Sequence, residues 1–270
     1  MPSQAEKARS FLALHEGPSG FVLPNPWDAG SARIMANAEF RALATSSAGF
    51  ANTLGRADYK VTRDEALEHC RVIATATDLP VTADLENGFA DKPDRVADTV
   101  LMASETGIVG CSIEDATGDP HAPLYPFDLA VERVRLAMVA ARRLGFPFLI
   151  TARAEGLLHG EKDMGEITRR LEAFAKVGAP VVYATGIRDM DQARHVANSV
   201  RVPANVMAMP GLDTAGLFAA GVKRVSLGPW FARAAVKGLL DAMAEVRTHG
   251  TFDFIRGCPN GAAMTKMLEI

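Results

Sequence analysis

Two apolar segments of the sequence end in carboxylates that could bind a divalent cation. The segment PVTADLENGFAD at 80–91 carries Asp84 and Glu86 just before an Asn-Gly turn signal. A similar segment, GCSIED at 110–115, presents Glu114. Alternate residues of a strand point to one face, so Asp84 and Glu86 would leave their strand on the same side. Because hard oxygen ligands suit Mg²⁺ or Mn²⁺, these acids predict a metal site.

A cation follows the next apolar segment. The segment FPFLITA at 146–152 ends in Arg153, whose planar guanidinium can hold a substrate carboxylate through two hydrogen bonds. Arg153 could instead form only a salt bridge. Asn205, at the end of a later predicted strand, is another candidate site residue, and it could instead be a turn residue. His121 lies in a loop after a predicted strand, which makes it a candidate acid or base. Acids and an arginine at strand ends predict metal-assisted chemistry on a carboxylate substrate.

These side chains need a scaffold that gathers the ends of strands. The sequence alternates eight short apolar segments, typical of buried strands, with segments of helical periodicity. Such strands pair in parallel through right-handed crossovers, and eight units in about 230 residues is the count for a closed (β/α)8 TIM barrel. An open doubly wound sheet is the alternative, but no G-x-G-x-x-G follows the first strand. We therefore predict one α/β barrel domain over residues 1–270.

Two segments around the predicted barrel have less regular patterns. The connection at 50–60 is predicted as a loop that precedes a helix beginning at the capping box Thr62-Arg63-Asp64-Glu65. A C-terminal tail, at about 251–270, carries apolar residues that need a surface to cover. That surface could belong to the same barrel or to a neighbouring subunit.

Composition and charge exclude several classes of protein. The sequence is 48% hydrophobic and 23% charged, as in an ordinary globular enzyme. Its net charge of −3 leaves no basic footprint for nucleic acid. Apolar runs fall short of the roughly 20 residues that span a membrane, and the N-terminus lacks a signal core, so a cytoplasmic protein is expected. The three cysteines are widely spaced and show no zinc or redox pattern.

Six segments in order resemble the isocitrate lyase / phosphoenolpyruvate mutase superfamily. They are LPNPWDAGSARI, TSSAGFANTLGRAD, PVTADLENGFAD, CSIEDA, ITARAEGLL and PANVMAMPG, and they run from about Phe21 to Trp230. The resemblance implies a (β/α)8 barrel, commonly with its eighth helix swapped between subunits, and a homotetramer built as a dimer of dimers. It also implies Mg²⁺ (Mn²⁺ possible as a substitute) and cleavage or formation of C–C or P–C bonds through a pyruvate-like enolate.

The resemblance also implies a role for each matching residue. Asp84 matches the direct metal ligand and Glu86 its neighbour, while Glu114 and Asp58 match acids around the metal. Arg153 matches the arginine that grips the substrate. The positions that match substrate-binding residues are Ser46, Ser47, Ala48, Gly49, Asn205 and Arg233.

Departures from the family pattern at three places in the sequence bear on the reaction. The usual Asp-x-Asp pair is Asp84-Leu85-Glu86 here, and the longer carboxylate is still expected to reach the metal's waters. The lyase loop with the catalytic cysteine is replaced by ATGDPHAPLYP at 116–126, which argues against isocitrate or 2-methylisocitrate cleavage. The mutase lysine and asparagine are missing from the same loop. Thr185 stands where the lyases have a glutamate, as in decarboxylase-like members.

Together these patterns predict a Mg²⁺-dependent lyase that cleaves a C–C bond or decarboxylates a small α-keto or 2-hydroxy acid. A 2-hydroxy acid would require a base, for which His121 is the first candidate. One alternative is P–C bond chemistry of the phosphoenolpyruvate mutase or phosphonopyruvate hydrolase type. Another is a non-catalytic barrel that binds a small dicarboxylate. A Schiff-base aldolase would need a lysine at a strand end, and the sequence offers none.

Overall fold

Eight short parallel strands form a closed ring at the centre of the molecule. The computed structural model describes residues 2–269. The strands are β1 (Phe21–Leu23), β2 (Leu43–Ala44), β3 (Val81–Asp84), β4 (Gly110–Glu114), β5 (Leu149–Ala154), β6 (Val181–Ala184), β7 (Ala204–Met207) and β8 (Arg224–Ser226). They pair in the order β1-β8-β7-β6-β5-β4-β3-β2. The Ala44 N–H donates to Pro24 O at 3.0 Å and joins β2 to the end of β1. The predicted (β/α)8 barrel is confirmed.

Helices alternate with the strands and surround the ring. They are α1 (Gln4–Glu16), α2 (Ala29–Asn37), α3 (Ser47–Thr53), α4 (Arg63–Thr75), α5 (Pro93–Ser104), α6 (Phe127–Ala141), α7 (Met164–Lys176), α8 (Met190–Ser199), α9 (Thr214–Ala219), α10 (Trp230–His249) and α11 (Gly261–Leu268). The predicted capping box at the start of α4 is present, because Thr62 and Glu65 exchange side chain–backbone hydrogen bonds.

Two helices lie where the sequence pattern did not indicate them. The prediction of a loop from residue 50 was wrong for its first residues, because α3 covers Ser47–Thr53. Its seven residues are too few and too small to show helical periodicity, and the helix depends on the Ser46 hydroxyl, which accepts from the Gly49 N–H at 3.1 Å. In the tail, α11 packs on α2, whose Asn37 side chain donates to Met267 O at 2.8 Å. This end of the tail therefore covers its own barrel.

The amino-terminal end of the barrel is closed by an apolar plug. Helix α1 places Phe11 against Phe21, with ring centroids 6.4 Å apart. Leu149 and Val181 belong to the same buried cluster. Above this plug the inward-facing side chains become polar: Thr82, Ser112, Thr151, Tyr183, Asn205 and Arg224. Because TIM barrels usually fill these layers with bulky apolar residues, the polar layer here leaves room for a deep cavity.

Helix α10 extends from the barrel without burying any of its side chains. Its apolar residues Val236, Leu239, Leu240 and Met243 are all exposed. Contiguous apolar surface of this kind is typical of a protein–protein interface. None of the helices in the described part of the chain is both long enough and apolar enough to cross a membrane.

Close approach of β4 to β5 generates a stability prediction. A Cβ placed on Gly110 would lie 2.4 Å from the backbone oxygen of Leu149. Since a backbone oxygen in a buried ladder cannot move aside, Gly110→Ala is expected to lower the free energy of unfolding by about 1–3 kcal/mol. Urea denaturation measures this change. Gly145→Ala is the matched control, because a Cβ there meets no atom within 4 Å. Equal stability of the two variants would contradict the prediction.

Candidate active site

A cavity of about 360 Å³ opens at the carboxyl ends of the strands. Among the residues predicted from the sequence, those that line it are Ser46, Ser47, Ala48, Asp58, Asp84, Arg153, Asn205 and Arg233. Glu114 contacts Arg153 from below the cavity surface, and Glu86 lines a smaller adjoining pocket with Asp84. The structure therefore brings most of the predicted residues to one end of the barrel.

Arg153 is the centre of the charged network. Its guanidinium lies 2.7 Å from Asp84 Oδ1, 3.0 Å from Glu114 Oε2 and 2.8 Å from Glu155 Oε1. These carboxylates lie at the carboxyl ends of three neighbouring strands, β3, β4 and β5. Arg153 is therefore held in one orientation by hydrogen bonds to charged groups, which are stronger than hydrogen bonds between neutral groups.

Asp84 is bound by the start of α3 as well as by Arg153. Ser47 donates to Asp84 Oδ2 through its hydroxyl at 3.0 Å and its N–H at 3.2 Å. Ser112 donates to Oδ1 at 3.3 Å. Because the Gly49 N–H is taken by Ser46, the four small residues predicted to bind a substrate carboxylate are partly committed to internal contacts. Ala48 lines the cavity, and its N–H donates to no acceptor within residues 2–269.

Glu86 is a buried carboxylate with an unsatisfied oxygen. Its Oε1 has no hydrogen-bond partner in the described part of the protein, and its backbone has the left-handed φ of 50°. Burial, followed by the charges of Asp84 and Asp58, raises the pKa of Glu86 to about 8. A cation or one of its waters would satisfy this oxygen and favour the ionised form.

The carboxylates therefore fit a magnesium ion. No set of three or more His, Cys, Asp or Glu side chains among the described residues forms a complete ligand cage. Mg²⁺ does not need one, because it keeps several waters and takes one or two protein carboxylates. Asp84 and Glu86 are the residues that would hold it, and Asp58 lines the same cavity.

Tyr59 is a site residue that the sequence did not indicate. Its hydroxyl donates to Glu114 Oε1, and it has a left-handed φ of 58° that is rare outside glycine. Burial raises the pKa of Glu114 well above its usual value, although Arg153 opposes this shift. Tyr59 therefore satisfies an acid whose ionisation is costly. No signal in the sequence could have found this contact, because it joins the loop before α4 to the last residue of β4.

Glu155 was also missed, although a signal for it existed. It follows Arg153 by two residues, and strand alternation would place both side chains on one side of β5, as the sequence predicted for Asp84 and Glu86. Glu155 Oε1 accepts from Thr185 Oγ1 at 2.6 Å as well as from Arg153. It is 2% exposed. Glu155 therefore links Arg153 to the sixth strand.

The structure does not bring His121 into the cavity. Residues 116–126 fold into a closed turn in which Ala116 pairs with Leu124 and the Thr117 N–H donates to Pro123 O at 2.9 Å. Asp119 Oδ1 accepts from the His121 N–H at 2.9 Å, and the imidazole is exposed. A polar side chain that bonds its own backbone two residues on favours such a turn. The predicted role of His121 as a base has no support from its position.

Asn205 and Arg233 lie at opposite ends of the cavity. Asn205 is fully buried within β7 and donates to Ser226 Oγ at 2.9 Å, so it is not a turn residue. Arg233 is exposed on α10, with its guanidinium 5.0 Å from the ring centroid of Trp230. Both remain predictions as substrate-binding residues.

Comparison with known proteins gives consistent matches along the chain. Residues 11–247 match the family described as phosphoenolpyruvate phosphomutase. An uncharacterised protein of Mycobacterium tuberculosis is 30% identical over 221 residues, which is 81% of each chain. The oxaloacetate decarboxylase of Chromohalobacter salexigens is 28% identical over 256 residues, 91% of this chain and 87% of the relative. A crystal structure of a presumed lyase/mutase from Burkholderia cenocepacia has a TM-score of 0.96 at 46% identity, covering 99% of this chain and 97% of the other.

The state of Glu86 generates a prediction about pH. In the metal-free protein the folded state keeps the Glu86 proton up to about pH 8, whereas the unfolded state releases it near 4.5. The folded state then binds more protons, so the free energy of unfolding falls as the pH rises between these values. Glu86→Gln mimics the neutral acid. Its stability advantage over the wild type should grow from near zero at pH 4.5 to a few kcal/mol at pH 8, at about 1.36 kcal/mol per pKa unit.

Urea denaturation in EDTA at several pH values measures this difference. Glu68→Gln, on the exposed face of α4, is the control and should leave the pH profile unchanged. Parallel profiles for Glu86→Gln and the wild type would show that Glu86 is not held in its neutral form.

Proposed function

This chain belongs to the phosphoenolpyruvate phosphomutase family, within the isocitrate lyase / phosphoenolpyruvate mutase superfamily, and on that premise we propose that it is a Mg²⁺-dependent carbon–carbon lyase. Its substrate is a small α-keto or 2-hydroxy acid that is cleaved or decarboxylated to a pyruvate-like enolate. The observation that carries this proposal is the charged network of Arg153 with Asp84 and Glu114 at the cavity.

The chain supplies groups that bind the metal and groups that bind the substrate carboxylate. Asp84 and Glu86 hold the metal, with Asp58 and Glu114 beside them. When bound, Mg²⁺ supplies Lewis-acid polarisation of the substrate's carbonyl oxygen. Arg153 offers its N–H groups to the substrate carboxylate in an orientation fixed by Glu155. Preorganised donors of this kind favour a transition state in which negative charge develops.

The lining of the cavity favours decarboxylation. Among the described residues that line it, none is a histidine, cysteine or lysine, and the proposal commits its two aspartates, Asp58 and Asp84, to the metal. Loss of a carboxylate as CO₂ needs no base to begin, whereas cleavage of a 2-hydroxy acid does. The C. salexigens relative is named oxaloacetate decarboxylase. Oxaloacetate is therefore the first substrate to test.

Binding of oxalate, which resembles the enolate of pyruvate, tests the metal site separately from turnover. Calorimetric titration should show oxalate binding in Mg²⁺ and none in EDTA. Asp84→Ala should weaken the Mg²⁺-dependent affinity by more than about a hundredfold, because changes to the outer partners of a metal already cost 10–100-fold. Asp98→Ala, which removes an exposed ion pair on α5, is the control. Equal oxalate binding with and without metal would contradict the proposal.

The same variants decide whether the protein is an enzyme. The protein should form pyruvate from oxaloacetate only when Mg²⁺ is present, and it should do so faster than free Mg²⁺ alone. This activity should be lost in Asp84→Ala. Metal-dependent oxalate binding without turnover of any small keto or hydroxy acid would favour the non-catalytic barrel instead.

We also propose that the protein is a homotetramer, a dimer of dimers, in which α10 packs on the barrel of a neighbouring subunit. The exposed apolar residues of α10 support this arrangement. The double variant Leu239→Glu, Leu240→Glu should lower the mass measured by light scattering, because buried unpaired charges oppose association. Val72→Glu on α4, at a residue 40% exposed, should leave the mass unchanged. A monomeric wild type would contradict the proposal.

A further inference from the structure

Arg224 is a buried cation at the inner end of the cavity. Its side chain is only 3% exposed, yet it lines the same cavity as Asp84 and Arg153. It stands at the first residue of β8, directly opposite Asn205 of β7. The family resemblance assigned no role to this position.

Within the described part of the chain, all the hydrogen-bond partners of Arg224 are neutral. Its Nε donates to Asn205 Oδ1 at 2.9 Å and its Nη2 to Thr151 Oγ1 at 3.0 Å. Its Nη1 lies 3.4 Å from His15 Nε2. Burial, followed by the charge of Arg224, lowers the pKa of His15 to about 3, so this ring is neutral. The His15 Nδ1 lies 2.8 Å from Phe11 O and carries the hydrogen, which leaves Nε2 to accept.

This guanidinium lacks the counter-charge that Arg153 and Arg170 have, and it also lacks the three backbone oxygens that accept from the buried Arg133. Arg153 contacts three carboxylates, and Arg170 pairs with Asp115 at 3.0 Å. No aspartate or glutamate within residues 2–269 forms an ion pair with Arg224. A guanidinium carries five N–H donors, and these contacts use three of them. A buried charge without a partner costs several kcal/mol unless a ligand compensates it.

The register of the strands places Arg224 within reach of a ligand at the metal end. Its partner Thr151 precedes Arg153 by two residues on β5, so the backbone positions of Thr151 and Arg153 lie about one layer, roughly 7 Å, apart along the barrel. The cavity that both arginines line also has small or hydroxyl-bearing side chains from the neighbouring strands, including Ala44, Thr82 and Ser112. A small diacid can span this distance.

We propose that Arg224 is a specificity-determining residue that binds a second carboxylate of the substrate, so that the site selects dicarboxylates over monocarboxylates. This inference rests on the proposed function, which places the first carboxylate at Arg153 and the metal. Oxalate is too short to reach both ends, and its binding reports only on the metal end.

Displacement titrations against oxalate test the proposal in the Mg²⁺-loaded protein. The probes are two matched pairs, malate with 2-hydroxybutanoate and 2-oxoglutarate with 2-oxopentanoate, and the members of each pair differ only in a carboxylate or a methyl group at the far end. The wild type should prefer the diacid of at least one pair by about tenfold or more. Arg224→Met should abolish that preference while the oxalate affinity stays within about threefold.

Further variants separate binding from folding. Arg224→Met should unfold at the same urea concentration as the wild type or a higher one, because replacing a buried charge with an apolar side chain is often neutral or stabilising. Arg224→Lys keeps the positive charge and should keep part of the preference for the diacid. This variant provides a second measurement of that preference if Arg224→Met does not fold. Arg188→Met removes another cavity arginine, exposed at the mouth, and should leave the preference intact.

The possible failures are distinguishable. If oxalate does not bind with Mg²⁺, the proposed function fails and this inference fails with it. If oxalate binds but the wild type shows no diacid preference, or Arg224→Met retains it, or Arg188→Met removes it, this inference alone is overturned.

Discussion

Asp84, Glu114 and Glu155 share the guanidinium of Arg153 at 2.7, 3.0 and 2.8 Å, and the open end of the barrel depends on this contact. Parallel strands bring their carboxyl ends together, so acids on neighbouring strands necessarily meet there. Without a cation these acids would repel one another and take up protons, as the raised pKa values of Glu86 and Glu114 indicate. Arg153 supplies one positive charge, and the unsatisfied oxygen of Glu86 indicates where a second belongs.

The cavity exists because the barrel separates its apolar and polar layers. Helix α1 closes one end with Phe11, which leaves the upper layers free of bulky apolar side chains. The small or polar residues of those layers carry the cavity down to Arg224. The barrel thus presents positive charge at two depths, with the acids around only the upper one. The proposed selection of a dicarboxylate rests on this asymmetry.

Much of this arrangement could be predicted from local pattern. Eight alternating segments predicted the barrel, and residues at strand ends, such as Asp84 and Arg153, were expected to converge for topological reasons. Glu155 obeys the same two-residue rule that indicated Glu86. Tyr59 could not be predicted, because its contact joins a loop to the end of β4, 55 residues away in the sequence. His121 stays outside the cavity because its loop folds on itself, with the His121 N–H hydrogen-bonded to Asp119. Composition alone does not determine which local hydrogen bonds such a loop forms. Arg224 begins its strand, and only the register of the closed barrel shows that it points inward.

The central claim is that the carboxylates around Asp84 hold a divalent cation that contacts the substrate's oxygens. Electron paramagnetic resonance of Mn²⁺ bound to the protein, with oxalate labelled with oxygen-17, tests this claim directly. Direct coordination would broaden the Mn²⁺ lines relative to unlabelled oxalate, and the account predicts this broadening in the wild type and its loss in Asp84→Ala. A protein-bound Mn²⁺ signal that the label leaves unchanged, or no bound signal at all, would contradict it.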